Sequence, residues 1–166
     1  VEHQSSMYAM HLLTLVIFGI VLAGLTLALW KRLAGSPTIA AAGGVVGLIW
    51  AGMLVASGLV FNFGAGAVVD LHVTNPAQAV SAWQAIEPVA DGLGSGGGEL
   101  LGGLWVLLVS VAALRTAALP KALNWIGIVI GVAGIVSVIP VLLDVRYVFG
   151  LLQIIWFLWL GVVMLR

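Results

Sequence analysis

The chain has 166 residues, 63% of them hydrophobic and 7% charged, with six basic and six acidic groups cancelling to a formal net charge of zero. Soluble domains carry about 25% charged and about 45–50% apolar residues, so a chain of mean hydropathy +1.24 cannot clothe a water-facing exterior and must have the bilayer as its main solvent. Cysteine is absent, which removes disulfides, thiolate metal sites and cysteine nucleophiles. No basic run exists to serve nucleic acid as a partner.

The N-terminal stretch "VEHQSSMYAMHLL" places His3, Met7, Met10 and His11 at i, i+4, i+7 and i+8. On a continuous helix these share one face, and thioether with imidazole suits Cu(I). Against copper, two Met and two His arise readily in an apolar helix as packing, lipid-facing or interfacial residues. Haem is weaker still, because His72 is the other histidine and lies far along the chain.

Five apolar runs approach the roughly 20 residues needed to cross about 30 Å of hydrocarbon: Met7–Trp30, Ile39–Phe63, Leu100–Leu119, Trp125–Leu143 and Val148–Leu165. The links "KRLAGSPT", "PKALN" and "DVRY" are short and make antiparallel neighbours. In the second run Gly43 and Gly47 form a small-xxx-small pair extended by Ala51, and in the fourth Gly127 and Gly131 repeat it with Gly134 beyond. Such faces let helix backbones approach closely. The fifth run carries Trp156, Phe157 and Trp159 at depth, where packing is the expected use. Trp30 and Trp125 read as interfacial anchors.

Between the second and third runs lies the long segment 64–98. Its "DLH" (Asp70, His72) alternates like a short strand or turn. "TNPAQAVSAWQAIEPVADG" predicts a short interfacial helix, with Asn75 as N-cap, Pro76 at the first position and Gly92 at the stop. Gly92, Gly94 and Gly97 spell G-x-G-x-x-G. That string marks a dinucleotide site only after a strand and before a soluble helix, and Asp91 and Glu99 would repel a pyrophosphate. A hinge is the better reading, with Glu99 in the first turn of the next span, where the helix dipole favours a negative charge.

Charge sets the orientation. Lys31, Arg32, Arg115, Lys121 and Arg166 fall on one side of the spans; Arg146 and every acid fall on the other. The positive-inside rule puts the first group in the cytoplasm, the N-terminus and long loop outside, and the C-terminus inside. An outer N-terminus that begins with Val implies an upstream helix or a cleaved signal peptide, the helix being preferred.

Polar residues cluster in the outer half: His11, Ser57, Asn62, Glu99, Ser137 and Gln153, with Pro140 able to splay the fourth span. Such groups normally face the bundle interior or a wet cavity, so His11, Asn62, Glu99 and Gln153 are the candidate lining of an outward pocket for a lipid or small polar ligand. A ring of residues meeting water and headgroups is the competing reading, and the stronger one. The inner half lacks the midplane ionisable groups of a transporter or proton channel. No serine stands in a G-x-S-x-G elbow.

The runs "LWVLL…ALR…LP" (Leu104 to Pro120), "FGLLQIIWFLWLG" (Phe149 to Gly161) and "VVDLHVTNPAQAVSAW" (Val68 to Trp83) resemble a bacterial membrane family known as domain of unknown function 4386. The resemblance covers most of residues 40–166. It implies a polytopic inner-membrane protein with one further N-terminal span, and supplies no catalytic residues. The expectation is thus an all-α, five-span transmembrane helical bundle forming a single domain. Its expected role is non-catalytic, as an accessory or scaffold subunit among membrane lipids and other membrane protein subunits. Outward ligand binding is the alternative and copper the weakest reading.

Overall fold

The computed structural model describes residues 4–95 and 99–165. Among them the regular elements are six helices, without a strand. We number them α1 (Ser5–Arg32), α2 (Pro37–Thr74), α3 (Pro76–Ala90), α4 (Leu100–Thr116), α5 (Lys121–Val136) and α6 (Val145–Met164). Helices α1, α2 and α6 are long and apolar enough to cross a membrane, and α4 and α5 are shorter apolar helices.

Two element ends differ from the sequence expectation. α2 has 38 residues, about 57 Å at 1.5 Å per residue, and absorbs Asp70 and His72 into helix instead of a strand or turn. Nothing between Phe63 and Thr74 breaks a helix. The break comes at Asn75 (φ −149°, ψ 86°), because the ring of Pro76 excludes its predecessor from helical backbone. α5, in contrast, stops at Val136, well short of Leu143. The same steric rule acts there: Ile139, ahead of Pro140, is extended, and the chain then makes a single 3₁₀ turn, Pro140–Leu142.

α3 begins with the Asn75 side chain accepting the Gln78 amide at 3.1 Å and Pro76 in its first turn. It tolerates Pro88 and ends as an α-helix at Ala90; helical backbone runs on past Gly92 and breaks at Gly94 (φ 169°, ψ 2°).

The chain forms two compact units, residues 1–22 with 50–97 and residues 23–49 with 98–166. In the first, the start of α1 runs antiparallel to α2. A Cβ built on Gly58 would lie 2.9 Å from Leu15 Cβ and 2.8 Å from Val16 Cγ2, and one on Gly19 would lie 2.8 Å from the Ala51 carbonyl oxygen. α3 is tied to α2 by the buried Ser57 hydroxyl, which donates to the Ala90 carbonyl at 2.8 Å.

In the second unit, α4 meets α5 backbone to backbone. A Cβ on Gly103 would lie 2.7 Å from the Gly131 carbonyl oxygen and the Ile135 amide nitrogen. One on Gly131 would lie 2.8 Å from the Gly103 carbonyl oxygen, and one on Gly134 2.7 Å from Gly103 Cα. Gly127 lies against Ser110 and the Trp156 indole, and Gly47 against the Trp105 indole and Thr26. Gly43 makes only ordinary contact, 3.5 Å from Leu108 Cβ; its neighbour Gly44 receives the Trp30 ring.

Trp105 and Trp156 are fully buried and meet edge-to-face at 6.0 Å, with Phe157 5.8 and 5.5 Å from them. The Trp156 indole N–H donates to the Leu123 carbonyl at 3.0 Å, which answers the polar end that a buried indole brings with it.

Adding one methyl group at Gly131 forces backbones apart, and overpacking of this kind costs about 1–3 kcal/mol. Gly131→Ala therefore lowers unfolding stability in lipid–detergent micelles by that amount. Gly150→Ala, on α6 with nothing within 4 Å of the added carbon, changes it by under about 1 kcal/mol, in the stabilising direction.

Candidate functional site

The polar residues singled out from the sequence fall into both units, and each unit can be described by itself. His11 and Asn62 belong to the first. The His11 ring stacks on Phe61 at 4.5 Å and 18°, and Phe61 in turn lies 6.1 Å from Trp83. Asn62 donates from Nδ2 to the Tyr8 carbonyl at 3.3 Å, while its buried Oδ1 has no hydrogen-bond partner among the described residues. Directly after His11 the backbone widens into a π-type stretch, Leu12–Ile17, and Thr14 bonds back to the Met10 carbonyl at 2.7 Å. Of the soft-metal set, Met7 and Met10 are exposed, His11 is half-buried against Phe61, and His3 lies outside the described residues. Among the described residues no group of three or more His, Asp or Glu side chains is placed to hold a metal.

Glu99 and Gln153 belong to the second unit. Glu99 occupies the N-cap position of α4, just ahead of the helix, and its carboxylate caps nothing. The link there is its backbone: the Glu99 amide donates to Ser137 Oγ at 3.2 Å, and the Ser137 hydroxyl donates to the Gly134 carbonyl at 2.7 Å. The Glu99 side chain is half-buried, and the positive charge of Arg146 acts on it. Arg146 also donates to the Tyr147 hydroxyl at 3.1 Å. Gln153 is buried on α6, its Nε2 without a hydrogen-bond partner among the described residues.

A second feature of this unit was not anticipated from the sequence. A cleft of about 600 Å³ opens where the ends of α1, α4 and α6 meet the start of α5. α4 terminates because Ala117 takes left-handed backbone (φ 51°, ψ 26°), its amide returning to the Ala113 carbonyl. That turn presents Pro120 and Lys121 at the start of α5. The α1–α2 link packs on the same turn, with a Cβ on Gly35 falling 3.0 Å from Thr116 Cγ2, and this brings Arg32 to the rim. Arg32, Lys121 and Asn124 supply the polar lining, Leu114 and Val163 the apolar wall, and among the described residues no carboxylate lines it. The sequence signal was the cluster of basic residues, which had served only to set orientation.

No family model, curated protein or solved structure matches the chain.

Proposed function

We propose that the chain is a five-span integral protein of the bacterial inner membrane, with its N-terminus outside, its C-terminus cytoplasmic and α3 lying along the outer interface. It serves there as a non-catalytic accessory or scaffold subunit of a larger membrane complex. The observation that carries this reading is the interior: among the described residues its closest contacts are glycine backbone and indole rings set in an aliphatic core, and the buried polar groups are spread over several helices. The outer faces favour it as well. α6 turns Leu151, Ile154, Ile155 and Leu158 outward and α1 Ile20 and Val21, which suits lipid or a neighbouring apolar helix.

The length of α2 fits a tilted span whose last turns reach beyond the hydrocarbon. α4 and α5, at 17 and 16 residues, cross with help from their flanking turns. Membership of the family of domain of unknown function 4386 is part of the same proposal, as a polytopic inner-membrane protein.

A second reading keeps the outward pocket. Within the first unit the unpartnered Asn62 Oδ1, and within the second the unpartnered Gln153 Nε2, each favours a lipid or small polar ligand. Copper at His3, Met7, Met10 and His11 is the weakest proposal.

Two measurements test the proposal. The cysteine-free sequence permits single-cysteine labelling: Thr74→Cys is expected to react with a membrane-impermeant maleimide from the outer side of sealed cells, and Ser36→Cys only after permeabilisation. The reverse pattern overturns the orientation. Native mass spectrometry after gentle extraction is expected to find this chain with larger polypeptides in fixed ratio. A lone chain whose retained small molecule is lost in Glu99→Gln contradicts the accessory role and favours the pocket.

A further inference from the structure

The cleft at the basic end carries chemistry that a packing role does not use. Arg32 and Lys121 are both exposed at its rim, and among the described residues no carboxylate lines it, so the lining they form is positive. Asn124, also part of the lining, is fully buried. It gives its Nδ2 to the Leu119 carbonyl at 3.2 Å and leaves Oδ1 without a hydrogen-bond donor among the described residues. A buried amide oxygen with no donor is costly, and a ligand hydroxyl or ammonium would supply one to an Asn124 side chain turned toward the cleft. Beyond the polar rim, Leu114 and Val163 form an apolar wall.

We propose that this cleft binds a phosphate-bearing headgroup that also carries a hydrogen-bond donor, as in an anionic phospholipid. The phosphate meets Arg32 and Lys121, the former in the forked geometry that guanidinium offers to phosphate. The headgroup hydroxyl approaches Asn124, and the acyl chains lie along Leu114 and Val163. The apolar wall decides between two sources of the same chemistry: a soluble phosphate ester has no use for it, while a lipid does. Basic pockets between spanning helices on the cytoplasmic side are the expected place for such headgroups, so the assignment rests on the proposed orientation for its leaflet, though the cleft's own chemistry does not depend on it.

The test is a native mass-spectrometric titration of the full chain in neutral detergent micelles. The probes are phosphatidylglycerol, phosphatidylcholine of the same chains, and glycerol phosphate as a chain-free competitor. Two cations near a headgroup imply a preference for phosphatidylglycerol over phosphatidylcholine of about thirtyfold. The variant Arg32→Gln/Lys121→Gln is expected to lose most of it, and Arg32→Lys/Lys121→Arg to keep most of it. Lys31→Gln/Arg115→Gln, which alters basic groups outside the cleft, also leaves the preference largely intact.

Equal retention of the two lipids by the wild type overturns the proposal. So does an undiminished preference in the first variant, or an equal loss in the last, which would mean general surface charge. Displacement of the lipid by glycerol phosphate at comparable concentration overturns the lipid assignment and points to a soluble phosphate ester. Helical circular dichroism on each variant separates lost binding from lost fold.

Discussion

The contact between Gly103 on α4 and Gly131 and Gly134 on α5 is the constraint on which the second unit rests. In lipid no hydrophobic force drives one apolar helix against another, so association depends on close van der Waals contact and on the few hydrogen bonds available. Removing the side chains at three positions lets the two backbones touch. That approach also positions α6. α5 presents Gly134 to Phe149 and Gly127 to the Trp156 ring on α6, so the same small-residue stripe receives aromatic side chains from the next helix. The Trp156 indole closes the arrangement on the Leu123 carbonyl. At the other end of the pair, the Glu99 amide reaches Ser137 across the same interface.

Most of the helices were legible in the sequence because their signals are physical and local. Apolar runs of sufficient length, Asn75 preceding Pro76, and short links between runs each prescribe one backbone outcome. The errors lie where a helix has no reason to stop or an unrecognised reason to stop. Asp70 and His72 look like a turn by polarity, yet polarity does not break a helix, and α2 continues to the residue that proline steric exclusion selects. At Ile139 the same exclusion works against the expectation, since hydropathy continues through Pro140 while helical backbone does not.

The sites were less legible. The pairs Gly127 with Gly131 and Gly43 with Gly47 are evident from spacing, but Gly103 stands beside Gly102 in a run with no small-xxx-small partner of note, and its role is defined by what α5 brings to it. The expected set of His11, Asn62, Glu99 and Gln153 was chosen by depth alone. Depth does not say which neighbour a side chain takes: His11 lies on Phe61, Asn62 on the Tyr8 carbonyl, and Glu99 contributes its amide where its carboxylate was expected. The basic cleft was hidden for a related reason. Arg32 and Lys121 are 89 positions apart, and only the left-handed turn at Ala117 and the packing of Gly35 on Thr116 bring them to one rim.

Contact of α4 and α5 through bare backbone must hold in the membrane itself if it is to organise the second unit there. Solid-state NMR on protein reconstituted in lipid bilayers, with glycine selectively ¹³C-labelled at Cα, tests it directly. Bare-backbone contact predicts short-mixing Cα–Cα cross-peaks linking Gly103 to Gly131 or Gly134, absent from a Gly103→Ala spectrum. A wild-type spectrum with no correlation between glycines of the two helices would mean that side chains hold them apart, and would contradict the packing of the second unit.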